Sequence, residues 1–342
     1  MRLPSTQGSA PTRAMTMTSA MGGSAFRVGV AAAFAVMALA TAAPAPASYL
    51  VARNAANIGL KVDAAGHAVV YYTRGGKRLK PLFWGAVNAR PPTLEAPQVA
   101  FKKDYSGGWG TFRKPLWKTI RDTCLPYDGP PLPYLVVACK APDGSYWALQ
   151  RWQRMLPNLG IDPWKPEQSA WELHLSHWTG ELPKLEVWVD WVYSKKFHHL
   201  FGRYTYQGRP VHGFSATGTG NPLDGYGRNM YLDTYDSAYG PGWKRENSFL
   251  AHRPNGNFCY GFYRHDPYPG YPPVGRRPAG HGKRYRITAL GPGVTPIVVW
   301  EGEGLSDYNR GNPADVDYER QMNDIGDGLA AGDLSRTPCS QH

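Results

Sequence analysis

Trp171-Glu172-Leu173-His174-Leu175-Ser176-His177-Trp178 is followed by Thr179-Gly180-Glu181-Leu182-Pro183 and then by Lys184-Leu185-Glu186-Val187-Trp188-Val189-Asp190-Trp191. Both eight-residue runs alternate apolar and polar side chains. Successive side chains of a strand point to opposite faces, so this is strand sequence. The short Gly/Pro-containing connection reads as the turn of a hairpin. Placing Trp178 opposite Lys184 sets Leu175 against Val187, Leu173 against Val189 and Trp171 against Trp191 on one apolar face. The other face then carries Ser176 with Glu186, His174 with Trp188, and Glu172 with Asp190.

Opposed carboxylates destabilise a sheet unless a cation or a proton compensates. Glu172, Asp190 and His174 are therefore the candidate catalytic residues, and Trp188 and Glu186 the candidate ligand-binding ones. An aromatic ring beside acids and an imidazole is what a sugar-binding or sugar-cleaving face uses. The plain alternative is a solvated or arginine-paired sheet face.

The same pattern extends along the chain. Short β-branched and aromatic runs at 58–62, 67–73 and 79–86 predict a meander. Runs at 132–140 and 145–152, joined by Pro142-Asp143-Gly144, predict a central hairpin. Further strands are expected at 197–206, 229–234, 257–263, 283–289 and 296–300. Asn312 as a cap, Pro313 at the first helical position and Asp315, Asp317 and Glu319 near the positive end predict one C-terminal helix over about 313–329. A weaker helical stretch spans 116–123. Residues 263–278, rich in Pro, Gly, Tyr and Arg, predict an irregular excursion. The fold class is mainly β: a large antiparallel sandwich or barrel-like sheet domain with one C-terminal helix, stapled by disulfides, over a single domain 48–342.

Basic residues at Arg13 and Arg27, an apolar run over 28–43 and Ala45-Pro46-Ala47 match a secretory signal peptide over 1–47. Either Met1 or Met21 serves as its start. The apolar run is shorter than the roughly 20 residues a spanning helix needs, so no membrane span is expected after cleavage, and the protein is expected to be extracellular or attached to the cell envelope. The leader holds three arginines and no acid, which takes the formal net charge from +12 to +9 in the remainder. That surplus is scattered, as on a solvated surface, or attracts an anionic envelope polymer. Nothing resembles a nucleic-acid module, so no nucleic-acid partner is expected.

All four cysteines lie beyond the leader, which in an oxidising compartment suggests two disulfides. Cys124 with Cys139 is preferred because the two flank the turn-rich 125–131, which leaves Cys259 for Cys339. No C-x-x-C pair supports zinc. Asp224, Asp233 and Asp236 lack calcium-loop spacing. His198 and His199, like His174 and His177, fall on opposite strand faces. H-E-x-x-H, G-x-S-x-G, phosphate-loop and dinucleotide-binding glycine patterns are absent, so no metal and no cofactor are expected.

The leader and the Ala/Gly/Pro/Arg/Trp-rich body resemble uncharacterised exported proteins of high-GC Gram-positive bacteria, a resemblance of style that implies no functional residue. Laminarinase-like jelly-roll enzymes alternate acids as E-x-D-x-x-E, and Glu186-Val187-Trp188-Val189-Asp190 departs from that spacing. The leading functional expectation is a secreted or envelope-associated protein that binds a polysaccharide or other envelope polymer without catalysis. The alternatives are a glycan hydrolase or lyase working through carboxylates on a sheet face, and a purely structural exported domain.

Overall fold

The computed structural model describes residues 48–90, 98–153, 170–211, 230–238, 240–247, 256–262 and 281–331. All lie within the compact unit Ala42–His342. Residues 1–47, expected to be a leader, residues 263–278, expected to be an irregular excursion, and Asp224 and Cys339 fall outside them.

The chain opens with β1 (Tyr49–Arg53) and the meander β2 (Ala56–Val62), β3 (Ala68–Arg74), β4 (Lys77–Leu79) and β5 (Leu82–Trp84), then β6 (Lys102–Asp104). Two single-turn helices follow, α1 (Trp109–Phe112) and α2 (Leu116–Thr119), the second shorter than its sequence suggested. Next come β7 (Leu125–Pro126), the hairpin β8 (Leu135–Lys140) and β9 (Tyr146–Gln153), and β10 (Trp171–Trp178). The later strands are β11 (Lys184–Val192), β12 (Phe197–Tyr206), β13 (Arg209–Pro210), β14 (Met230–Ser237), β15 (Gly240–Asn247), β16 (Asn257–Gly261), β17 (Arg284–Ala289) and β18 (Val298–Glu303). The chain then enters α3 (Pro313–Ala330).

The mainly β expectation holds, in the form of two two-layer stacks. One sheet, ordered β1-β10-β9-β8-β7, shares a core with the meander β2-β3-β5-β6, where Leu149, Leu173 and Trp147 meet Val62, Val70 and Phe83. The second stack joins β11, β12, β13 and β16 to β15-β14-β17-β18, through Val187, Leu200, Tyr204 and Phe258 against Leu232, Tyr285 and Ile287. Trp152 of β9 packs with Tyr231 and Ile297 and links the stacks. The Gln150 amide adds a polar tie, donating to Ile297 O at 2.9 Å and accepting from Ile297 N at 2.8 Å. Of the hairpin expected to be central, β9 is so: Trp147 and Leu149 face the first core, while Ala148, Gln150 and Trp152 face the other way; β8 leaves Leu135 and Val136 exposed.

Close approach fixes one glycine. A Cβ on Gly202 of β12 would lie 2.2 Å from Glu186 O and 2.7 Å from Phe258 Cζ, so only glycine lets β11 and β16 close around this strand.

The hairpin reading of 171–191 is overturned. Both strands form where the alternation puts them, but β10 pairs with β9 and β1, whereas β11 pairs with β12. Trp178 meets Tyr146 and Lys184 meets Thr205. The cause is burial. β10 is covered on both faces from Glu172 onward, so it takes a central place in one sheet, while β11 keeps a half-open face and lies at the edge of another. Five strands were missed. β6, β7 and β13 are only two or three residues long, too short for alternation to show, β1 directly follows the stretch read as a leader, and β15 begins Gly240-Pro241-Gly242, a composition tolerated on the sheet edge it occupies.

Cys124 and Cys139 form a disulfide with Cα atoms 5.4 Å apart. Cys259 lies on β16 opposite Phe201, and its expected partner lies outside the described residues. In α3, Asn312 caps through its side chain, which accepts from Ala314 N at 3.2 Å, and Pro313 takes the first position. Among the described residues no helix is long and apolar enough to cross a membrane.

Candidate functional site

The separation of β10 from β11 divides the five candidate residues into two groups. Glu172 and His174 lie on β10, sealed at 0% and 1% exposure. Glu172 Oε1 accepts from Arg53 Nε at 3.0 Å, and its Oε2 lies 3.1 Å from His174 Nε2. His174 Nδ1 lies 3.0 Å from both the hydroxyl and the carbonyl oxygen of Ser48. This is the order of a serine–histidine–acid relay, but Ser48 is 0% exposed. A nucleophile must be reachable by its substrate, and a side chain at zero exposure does not meet that need. The array ties β1 to β10, and Arg53 supplies the cation that the lone carboxylate requires.

Glu186, Trp188 and Asp190 do share the outer face of β11, as the alternation predicts, with Val187, Val189 and Trp191 buried on the other. Their partners come from β12. Glu186 opposes Arg203, which donates from Nη2 at 2.7 Å and Nε at 3.1 Å, and Lys184 adds an ion pair at 3.0 Å. The Arg203 and Lys184 hydrogen bonds hold the Glu186 carboxyl below its ordinary value. Trp188 opposes Phe201 and stacks on it at 5.8 Å. Asp190 opposes His199, with Oδ1 3.3 Å from Nδ1 and side chains 13% and 8% exposed. The expected repulsion between carboxylates is replaced by cross-strand complementarity.

Asp190 and His199 line a cavity of about 420 Å³ between this sheet and α3. Its apolar wall is built from Phe201, Phe258 and Met322, and its polar lining adds Asn257, Asn323 and Asp327. The helix is held over it by Tyr318, whose hydroxyl donates to Val189 O at 2.8 Å, and by Asn257 Nδ2, which donates to Leu329 O at 2.6 Å. Lys195 at the rim pairs with Glu319 of α3. The turn that carries it holds Tyr193, Ser194 and Lys195 at φ 51°, 58° and 64°. Left-handed backbone at non-glycine residues costs about 1 kcal/mol or more each, and such outliers gather at binding sites.

His198 and His199 diverge as strand parity requires, since His198 bonds Tyr285 and stacks on His281 at 4.5 Å. Sequence reasoning found Asp190 but missed His199, Asn257, Asn323 and Asp327. Their only sequence signal was parity on strands whose partners were unknown, and the α3 contributors carried none. Among the described residues no cluster of His, Cys, Asp and Glu is arranged to hold a metal ion. Asp233 instead binds Arg245 and Arg286 within the sheet, the latter at 2.8 Å from Nη2. Comparison with protein-family models, with curated proteins and with solved structures finds no match to this chain.

Proposed function

We propose that this is an exported, envelope-associated protein that binds a saccharide unit in the cavity beneath α3 without cleaving it. The observation that carries the reading is the lining. Two carboxylates, an imidazole and amides converge on one space walled by Phe201, Phe258 and Met322, matching a ligand with a hydroxylated edge and an apolar face. Its volume, about 420 Å³, falls in the range of roughly 300–1,000 Å³ usual for small-molecule sites. Export is the sequence-based part of the proposal and rests on the leader.

Gly326 supplies a clean test. It lies in α3 at the cavity, and an added Cβ would approach only Phe201 Cε2, at 3.9 Å. Gly326→Leu should fill the space while raising helix propensity by up to about 1 kcal/mol. Calorimetric titration with mono- and oligosaccharides, including peptidoglycan fragments, should show binding by the wild type and none by Gly326→Leu. Asp190→Ala should weaken binding by about tenfold or more, the worth of a hydrogen bond to a charged group. Equal binding by wild type and Gly326→Leu sinks the reading. Release of reducing ends that depends on Asp190 assigns the Asp190–His199 pair to catalysis instead.

A further inference from the structure

The outer face of the meander gathers charges that are far apart in sequence. Alternation along β2 and β3 sends Val62, Val70 and Tyr72 into the core, with Ile58, Leu60 and Leu79 packed against it. Gly59 and Lys61 of β2, Tyr71 of β3, and Arg78 and Lys80 on and just after β4 consequently share the opposite face. Trp117 and Lys118 of α2 complete an open groove of about 750 Å³. Tyr71 fixes that helical turn by donating to Trp117 O at 3.0 Å.

The groove contains Lys61, Arg78, Lys80 and Lys118 and no carboxylate in its lining. Among the described residues none of the four cations forms an ion pair. Asp122, whose charge reaches Tyr71, has Oδ1 engaged by the backbone N–H groups of Val62 and Cys124, each at 3.2 Å. The ammonium of Lys80 is held over the Trp117 ring at 2.9 Å from its centroid, with Lys118 at 5.3 Å. Burial and the like charges of Lys118 and Arg78 lower the Lys80 pKa from its ordinary value. Lysine and arginine side chains on one face, held by rings and facing each other, are a charge surplus that an external anion relieves.

We infer that this groove is a binding site for an acidic polysaccharide, a carboxylate-bearing sugar chain laid along the outer face of the meander. A polynucleotide fits less well, because base stacking needs open aromatic faces. Here Lys80 covers Trp117, and Lys61 lies 5.9 Å from the centre of Tyr71. Gly59 leaves room for the chain, since a Cβ there would meet nothing closer than Tyr71 Cβ at 4.0 Å.

The test uses purified full-length protein and polygalacturonate, with its fully methyl-esterified form as the uncharged counterpart. Binding should be seen for the acid, be lost on esterification and weaken as salt rises. Reversing Lys61, Lys80 and Lys118 to Glu should lower affinity by about tenfold or more, while reversing Lys114, Lys196 and Arg310 should change it by less than about twofold. Gly59→Leu alters no charge and should also weaken binding several-fold, which covers the case of a misfolded triple variant. The inference is overturned if both triple reversals weaken binding equally, which would make the attraction one of net charge, or if Gly59→Leu binds as the wild type does. Equal binding of the methyl ester, or tighter binding of a single-stranded polydeoxynucleotide, overturns it as well. This groove and the cavity beneath α3 share no residue, so either can fail without the other.

Discussion

Lowering the pH from 7 to 5 should destabilise this protein by about 4 kcal/mol, through two buried histidines. His177 stacks on Trp147 with ring centroids 3.8 Å apart, and its Nδ1 lies 2.5 Å from Ala86 O. Burial pushes it from the ordinary 6.5 down to about 4, against the opposing pull of the Ala86 carbonyl and the Asp143 charge. His198 is pushed to about 4 by burial and by neighbouring His281, with the Leu305 carbonyl and Asp307 opposing. Between 6.5 and 4 the unfolded chain binds protons that the native state does not, so stability falls as pH falls through this window. Below about pH 4 both states are protonated and the loss levels off at about 3 kcal/mol for each group. At pH 5 each has lost about 2 kcal/mol relative to pH 7. Carboxylates do not confuse the measurement. Asp128 and Glu186 are held below their ordinary values chiefly by Lys140 and Arg203, so what they contribute is present above the unfolded carboxylate range and is lost only below about pH 5. The assay is urea unfolding at pH 7 and pH 5 for wild type, His177→Gln and His198→Gln, each variant losing about half of the pH dependence. A midpoint unchanged over this range, or native imidazole resonances of His177 and His198 that titrate near 6.5, would refute the reasoning.

Two further changes test the buried ion pairs. Glu172→Gln removes the charge shared by Arg53 and His174 at zero exposure, and urea unfolding should show a loss of roughly 2–4 kcal/mol. Had Glu172 faced Asp190, the same change would have relieved repulsion and left stability equal or higher. Asp233→Asn leaves Arg245 and Arg286 without their common carboxylate inside the sheet. Thermal and urea unfolding should both report a loss of about 3–5 kcal/mol, and an unchanged midpoint would show that the guanidiniums find other acceptors.

The positions of most longer strands, the faces of β10 and β11, the Asn312 cap, the central place of β9 and the Cys124–Cys139 bridge were legible in the sequence, whereas β1 and β15 were not. Each depends on the stereochemistry of a few neighbouring residues: alternation in a strand, an orphan N–H at a helix start, a short loop that two thiols can close. Sheet membership was not legible. Trp171–Trp178 and Lys184–Val192 carry the same alternation, and nothing in either run says that β9 and β1 will cover one while β12 covers the other. The same gap hid the candidate site. Asp190 was visible because its own strand oriented it, but His199 became its partner only through the β11–β12 register, and Asn323 and Asp327 only through the docking of α3. Arg53 reaches Glu172 from 119 residues upstream. Periodicity is a property of the chain next to itself, whereas pairing is settled by which arrangement buries the most apolar surface and leaves no charge uncompensated over the whole molecule, and that sum exists only in three dimensions.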